Sequence, residues 1–163
     1  MEDNLKKATR LVPCSVVLLS VATKDAKDVM TATAMFVSED PPLFNVSVAK
    51  HILSHELIEQ AGEFALNIAS SDQVALAKQL GSTHGRAIDK FEKFNLATEA
   101  ATKVKAPLLK GCFANIECKV ITSHTAANYT IYLGEVIAFK AREDLKPIAW
   151  LDNKYFALNQ EAK

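Results

Sequence analysis

The residues best suited to contact a ligand lie in the stretch 29–48, whose first half is rich in small and hydroxyl side chains. Small side chains let a ligand approach the backbone closely, and hydroxyls can hydrogen-bond its polar groups. The stretch breaks at Asp40-Pro41-Pro42 and resumes as an alternating apolar run over 43–48. Tandem prolines cannot donate ladder hydrogen bonds, so the break predicts a loop between two extended segments. The alternative interpretation is an ordinary threonine-rich strand followed by a proline turn. The small and hydroxyl residues are Thr31, Ala32, Thr33 and Ala34, followed by Met35 and Ser38.

Two histidines four residues apart, His51 and His55, could chelate a metal ion if both lay on one helical face. Ser54 is predicted to cap the helix that contains His55, which places His51 outside that helix. No third ligand is evident nearby, so we expect no metal site. The glycine-punctuated segment 81–91 does not match a P-loop, because a P-loop precedes its helix and this segment follows one.

The composition is that of an ordinary globular protein. The chain has 163 residues, of which 49% are apolar and 23% are charged, and we expect a single domain over residues 1–163. The formal net charge is zero. With no excess of basic residues to hold a phosphate backbone, the chain is not predicted to bind nucleic acid.

No part of the sequence indicates association with a membrane. No apolar run approaches the roughly 20 residues that a spanning helix needs, and residues 1–10 are polar rather than signal-like. Three cysteines in a chain of this size fit a reducing compartment, and their spacing indicates no cysteine chemistry. We therefore expect a cytoplasmic protein.

The elements that must position these residues are mostly short strands. Alternating or β-branched apolar runs predict the strands, and a Ser70/Gln73 capping box precedes the second of two helices. Residues 123–128 are predicted to form a turn, and Gly134 a bulge or a point of close contact. Without a repeating βαβ order, the pattern favours an antiparallel barrel with helices at one side. The predicted strands are 14–22, 43–49, 64–69, 112–122 and 129–139. One predicted helix begins near Ser54, and the other covers 74–80.

Several segments, taken in order, resemble the flavin reductase-like, FMN-binding split-barrel family, of which flavoredoxin is one branch. Each segment is a weak match alone, but their order along about residues 12–140 makes the resemblance specific. The matching segments are VMTATAMF (29–36), VSEDPP (37–42), HELI (55–58) with GEFALNI (62–68), GRAIDKF (85–91), APL (106–108) and YTIYLGEV (129–136).

The resemblance implies an α+β, mainly β fold, a six-stranded antiparallel split barrel with flanking helices. It also implies a homodimer with FMN near the subunit interface. Members of the family pass electrons from NAD(P)H or a protein donor through the flavin, so a redox partner protein is an additional expectation.

The resemblance also assigns candidate cofactor-binding residues. The threonine-rich strand would line the ribityl chain and the ring edge, and the start of the helix near Ser54 would meet the phosphate, as free helical N–H groups favour. A cation from the loop 81–91 would stabilise the reduced, anionic ring. The candidates are Asp28, Met30, Thr31, Ala32, Thr33, Ala34, Met35, His51, Ser54, His55, Ser82, Arg86, Lys90, His124 and Phe156, with His124 also the candidate catalytic residue.

Four of these residues have other interpretations. Arg86 and Lys90 could be solvated charges, His124 could be an ordinary turn residue, and His55 could face solvent on its helix. The family pattern places His124 and Phe156 on the far side of the ring, or has the partner subunit supply them.

The chain departs from the family pattern at two places. Many relatives have Asn at the position of Asp28, and a carboxylate beside a flavin disfavours electron accumulation unless it is protonated or paired. Many relatives also have Asp-His where this chain has Asn128-Tyr129, and that histidine is associated with nicotinamide access. Three functions therefore remain open: a flavin reductase, a flavoredoxin-like electron carrier, or a non-catalytic flavin-binding module.

Overall fold

The computed structural model describes residues 2–162, in which twelve strands form three antiparallel sheets accompanied by four α-helices. The helices are α1 (Glu2–Ala8), α2 (Leu53–Ala61), α3 (Val74–Ser82) and α4 (Lys90–Lys93). The strands are β1 (Cys14–Ser15), β2 (Val17–Ala22), β3 (Lys27–Ala32), β4 (Ala34–Glu39), β5 (Pro42–Ala49), β6 (Glu63–Ile68), β7 (Thr98–Glu99), β8 (Leu108–Leu109), β9 (Ala114–Ala126), β10 (Tyr129–Ala141), β11 (Ile148–Leu151) and β12 (Lys154–Ala157).

The two edge strands of the main sheet are consecutive in the chain. The sheet order is β3-β2-β6-β9-β10-β5-β4, and Thr33 alone separates the end of β3 from the start of β4. The chain therefore joins the two edges, although β3 and β4 form no ladder with each other among the described residues. Counted as one bent strand, they make a six-stranded barrel that is split beside Thr33. This confirms the predicted fold.

Ser15 holds the chain at this split. Its Oγ donates to the carbonyl oxygen of Ala34 (2.6 Å) and accepts from the amide of the same residue (3.0 Å). Ser15 belongs to β1, which pairs with the hairpin of β11 and β12 in a three-stranded sheet. The small sheet is thereby fixed against the point where the barrel is open.

The barrel core requires a glycine in β10. The register between β9 and β10 shifts beside Gly134, which confirms the predicted bulge. A Cβ atom at this position would lie 2.7 Å from Cζ of Phe64 and 3.0 Å from Cβ of Cys118, both buried. Gly134 therefore lets the Phe64 ring fill the barrel interior, where it packs with residues such as Leu19 and Tyr132.

A second core lies on the outer side of the barrel. It joins β2 and β3 to α3, α4 and the hairpin of β11 and β12, and its buried residues include Leu18, Val29, Leu80 and Phe91. This packing fixes α3 and α4 beside β3. No helix among the described residues is long and apolar enough to cross a bilayer.

The helix α2 begins at Leu53 with Ile52 as its N-cap, so the prediction that Ser54 caps this helix was wrong. Ser54 is fully buried, and its Oγ donates to Oδ2 of Asp28 (2.6 Å). The hydroxyl is directed toward a buried carboxylate instead of the first turn of its own helix. Gly62 ends the helix as predicted, with φ of +66°.

The strand β9 continues to Ala126, so the prediction of a turn over 123–128 was also wrong. The segment 123–126 pairs with residues 129–132 of β10, and only Ala127 and Asn128 form the turn. Ala127 has a φ of +50°. A two-residue loop with positive φ suits the twist of two paired strands, so the ladder extends further than its polar composition suggests.

Candidate functional site

A buried ion pair joins Asp28 of β3 to Lys90 of α4. The distance from Oδ1 to Nζ is 3.0 Å, and both side chains are 3% exposed. Lys90 Nζ also donates to the carbonyl oxygen of Val29 (2.6 Å), and Asp28 Oδ2 accepts from Ser54 (2.6 Å). A buried charge is costly unless it is paired and hydrogen-bonded, and both charges here meet that condition. The ion pair therefore ties β3, α2 and α4 together at one point.

This ion pair lines a cleft of about 280 Å³, which we call the polar cleft. Its walls come from β3, the segment before α2, the end of α3 and the loop that follows α3. Because Asp28 and Lys90 are almost fully buried, they form its base. The lining residues are Asp28, Met30, Thr31, His51, Ile52, Leu53, Leu80, Gly81, Thr83, His84, Gly85, Arg86 and Lys90.

A second, smaller cleft of about 210 Å³ lies on the other side of Thr31, and we call it the aromatic cleft. It occupies the split between β3 and β4, and the hairpin of β11 and β12 contributes Trp150 and Tyr155 to its wall. Thr31 lines both clefts, and its hydroxyl donates to the carbonyl oxygen of Ala77 (2.6 Å), which leaves its lone pairs available to a ligand donor. The lining residues are Ser15, Val16, Thr31, Ala32, Thr33, Trp150 and Tyr155.

The exposed rim of the polar cleft carries cationic and imidazole side chains. Arg86 Nη1 pairs with Glu56 Oε2 at 3.0 Å, and its Nε donates to the carbonyl oxygen of His51 at 3.4 Å. Arg86, His51 and His84 are all exposed. The guanidinium therefore spans from the loop after α3 to the start of α2 and keeps the cleft bounded on that side.

The structure brings eight of the predicted site residues to the two clefts. In the polar cleft, Asp28 and Lys90 lie at the base and Arg86 lies at the rim. Thr31 lies between them. The eight are Asp28, Met30, Thr31, His51, Arg86 and Lys90 in the polar cleft, and Ala32 and Thr33 in the aromatic cleft, with Thr31 shared.

Seven predicted site residues lie outside both linings, although Ser54 still acts on the polar cleft through Asp28. Ser82 is directed back along α3, where its Oγ donates to the carbonyl oxygens of Lys78 (3.0 Å) and Gln79 (3.2 Å). The seven residues are Ala34, Met35, Ser54, His55, Ser82, His124 and Phe156.

Three of these seven are directed elsewhere by their secondary structure. His55 lies on the face of α2 that contacts β10, where its Nε2 is 2.8 Å from Oγ1 of Thr130. Phe156 is 47% exposed because successive residues of a strand face opposite sides, and it is the adjacent Tyr155 that lines the aromatic cleft. His124 is exposed on β9, and its approach to a flavin ring, from the far side or from a partner subunit, remains a prediction.

The sequence analysis missed the residues that flank Ser82 and those of the last hairpin. α3 extends to Ser82, two residues beyond the predicted end at Leu80, and Gly81 and Thr83 face the cleft instead. Trp150 and Tyr155 belong to a segment outside the resemblance. The sequence contains one signal for these residues, because Trp150 and Tyr155 have the spacing of a strand-turn-strand unit. That spacing identifies a hairpin, but it does not show which part of the fold the hairpin contacts.

Comparison with known proteins identifies the family of the chain. Residues 9–159 match the model of the flavin reductase like domain. The chain belongs to the flavin reductase-like family. The FMN reductase (NADH) SmoA of Agrobacterium fabrum is 30% identical over 129 residues, which is 78% of this chain and 70% of that protein.

Two solved structures are similar along nearly the whole chain. The flavin reductase PheA2 in its native state has a TM-score of 0.83 and 27% identity, covering 98% of this chain and 99% of the other. The flavoredoxin of Desulfovibrio vulgaris (Miyazaki F) has a TM-score of 0.85 and 24% identity, covering 95% and 92%. Both a reductase and a flavoredoxin therefore share the fold of this flavin reductase-like chain.

Two of the three cysteines of this flavin reductase-like chain, Cys112 and Cys118, are buried. Burial raises the pKa of the Cys112 thiol to about 11 and that of Cys118 to about 12, so both stay protonated at neutral pH. Neither lines the polar or the aromatic cleft.

Within residues 2–162, no group of three or more potential ligands could hold a metal ion.

Proposed function

We propose that this chain binds FMN across the two clefts that meet at Thr31 and acts as a flavin-dependent oxidoreductase of the flavin reductase type. In this proposal NAD(P)H or a protein partner donates electrons, and the flavin passes them to an acceptor. The observation that carries the proposal is the junction itself, where a polar cleft with an ion pair at its base and Arg86 at its rim meets an aromatic cleft at one threonine.

The residues of the two clefts fit the chemical parts of FMN. Arg86 and His51, at the exposed rim, suit a phosphate group, because a guanidinium offers several donors to its oxygens. The hydroxyls of Thr31 and Thr33 suit a polyol chain. Trp150 and Tyr155 suit a flat aromatic ring, which prefers to pack against other aromatic groups.

Bound FMN would supply the electron chemistry, since a flavin ring can accept a hydride and release single electrons. The residues of the chain would orient the ring and limit water around it. The hairpin of β11 and β12 lines one side of the aromatic cleft, and the side chain of Trp150 is only partly exposed, so a ring there would be shielded on one face. Lys90 would contribute charge from the base of the polar cleft.

We further propose that the chain forms a homodimer through an exposed apolar face. The side chains of Phe36 and Phe139 are 56% and 73% exposed, and Phe36 lies directly opposite Phe44 in the ladder of β4 and β5. Phe44, Ile137 and Phe139 line one continuous apolar groove. Exposed apolar patches of this kind mark protein interfaces. The three free cysteines fit a cytoplasmic location for such a dimer.

A second candidate function, electron carriage without direct oxidation of NAD(P)H, is favoured by one feature. Asn128 and Tyr129 occupy the hairpin turn and the first position of β10, where many relatives have Asp-His, and Tyr129 is 48% exposed. If that histidine is what admits the nicotinamide, this chain would receive its electrons from a protein. A non-catalytic flavin-binding module is the limiting case, in which no donor reaches the flavin.

Anaerobic mixing of FMN-loaded protein with NADH or NADPH separates these functions. A reductase bleaches the yellow colour within seconds of mixing, and stopped-flow absorbance at the flavin band measures the rate. A carrier or a binding module stays yellow until dithionite is added. Protein that takes up no FMN would contradict all three functions.

A further inference from the structure

The ion pair at the base of the polar cleft is unusually enclosed. Asp28 and Lys90 are each 3% exposed, and each makes a second hydrogen bond, to Ser54 and to the carbonyl oxygen of Val29. Gly85 packs directly against the carboxylate, because a Cβ atom there would lie 2.4 Å from Oδ1 of Asp28. Both oxygens of Asp28 therefore face the protein, and the loop after α3 encloses the pair.

This enclosure determines the charge that a ligand in the cleft experiences. Interactions between charges are far stronger in a buried site than in water, so an unpaired Lys90 would act strongly on any neighbouring anion. Asp28 lies 3.0 Å from the same ammonium group and opposes that effect. The base of the cleft therefore presents a compensated pair in place of a free cation.

We propose that Asp28 is a positioning residue that fixes the ammonium group of Lys90 at the base of the polar cleft and lowers its electrostatic stabilisation of reduced, anionic flavin. This inference rests on the proposed function, since it requires the flavin ring held in the aromatic cleft to extend past Thr31 to the base of the polar cleft. Bound FMN would therefore have a lower midpoint potential than it would have beside an unpaired Lys90. The carboxylate thus tunes the flavin by opposing the positive charge of the lysine.

The proposal predicts opposite effects of two conservative variants. Asp28→Asn removes the negative charge and keeps Lys90. The dissociation constant of oxidised FMN divided by that of reduced FMN should therefore rise roughly tenfold. Lys90→Gln removes the positive charge and keeps Asp28, so the same ratio should fall roughly tenfold. The double variant D28N/K90Q is again neutral, and its ratio should stay within about threefold of the wild type.

A purely structural role of the pair predicts a different pattern. Loss of either partner would then loosen the cleft in the same way, and both single variants would weaken the binding of oxidised and reduced FMN together. The sign of the change in the midpoint potential therefore distinguishes charge compensation from simple support of the fold.

The experiment measures the midpoint potential of FMN bound to wild type, D28N, K90Q and the double variant by anaerobic titration against a reference dye. A higher potential in D28N and a lower one in K90Q, with the double variant near the wild type, supports the proposal. Shifts of the same sign, or no shift in either variant, overturn it while flavin binding by the wild type still stands. A wild type that binds no FMN overturns the proposed function and this inference together.

If D28N does not fold, the comparison of K90Q with the double variant isolates the same carboxylate. Removing Asp28 in the absence of Lys90 should raise the ratio of dissociation constants roughly tenfold. No change between these two variants would overturn the proposal.

Discussion

At the scale of single residues, Glu117 shows how one carboxylate can organise an irregular loop. Its oxygens accept hydrogen bonds at 2.6–3.1 Å from the amides of Thr102, Lys103 and Val104 and from the Thr102 hydroxyl. The residue is 3% exposed. Burial acts to raise the pKa of Glu117, but the hydrogen bonds to its charged form outweigh burial and lower it.

We expect Glu117→Gln to reduce the free energy of unfolding by roughly 1–3 kcal/mol at neutral pH, because a neutral amide with one acceptor oxygen cannot replace these bonds. A carboxyl group with a lowered folded-state pKa stabilises the fold above its unfolded pKa of about 4.3. That stabilisation is lost as the pH falls through the folded-state pKa. Wild type should therefore lose more stability in acid than the variant, as urea unfolding at a series of pH values would show.

Glu99 offers a matched control for this prediction. Its pKa is also lowered, mainly by a hydrogen bond from Lys140, but both side chains of this ion pair are about 40% exposed. Water screens such a pair, so Glu99→Gln should cost less than about 0.5 kcal/mol. Equal losses of stability in the two variants would show that Glu117 does not anchor the loop.

At the scale of elements, the bulge of β10 makes the barrel depend on Gly134. We expect Gly134→Ala to destabilise the protein by roughly 1–3 kcal/mol, because its Cβ would lie 2.7 Å from Cζ of the fully buried Phe64. Thermal unfolding would measure the loss. The control is Gly81→Ala near the end of α3, where the new Cβ would make an ordinary contact of 3.5 Å with Thr31. A tolerated G134A would contradict the packing described here.

The elements also show why parts of the site could not be predicted from the sequence. Ser82 was chosen because it lies in a polar, glycine-containing segment, but two further residues of helix in α3 direct it away from the cleft. Phe156 was predicted to lie at the ring, but strand alternation places the adjacent Tyr155 in the aromatic cleft instead. Both errors are shifts of one residue, and a shift of one residue changes the face on which a side chain lies.

At the scale of the whole molecule, the resemblance predicted the barrel correctly because most of its matching segments fall on the strands and helices that build it. It could not show that Thr33 is the point where the two sheet edges meet, since that depends on strand order. Nor could it show that Lys90 reaches Asp28, a contact between α4 and a strand 62 positions earlier in the chain. Contacts of this kind depend on the packing of α3 and α4 against β3.

The proposed homodimer is also a property of the whole molecule, and sedimentation tests it. We expect wild type to sediment as a dimer and Phe139→Glu to sediment as a monomer, because a carboxylate would be buried without a partner in the apolar face. Phe139 is 73% exposed in the single chain, so its replacement should leave the fold intact. Leu5→Glu in α1 is a control of similar exposure at 71%. A wild type that stays monomeric at all concentrations would contradict the proposal.

The central claim is that the two clefts joined at Thr31 hold FMN, and an equilibrium titration of the protein with FMN, followed by flavin fluorescence, tests it most directly. We predict saturable binding of one FMN per chain, and binding of riboflavin, which lacks the phosphate, that is at least about tenfold weaker. No saturable uptake of FMN would contradict the account.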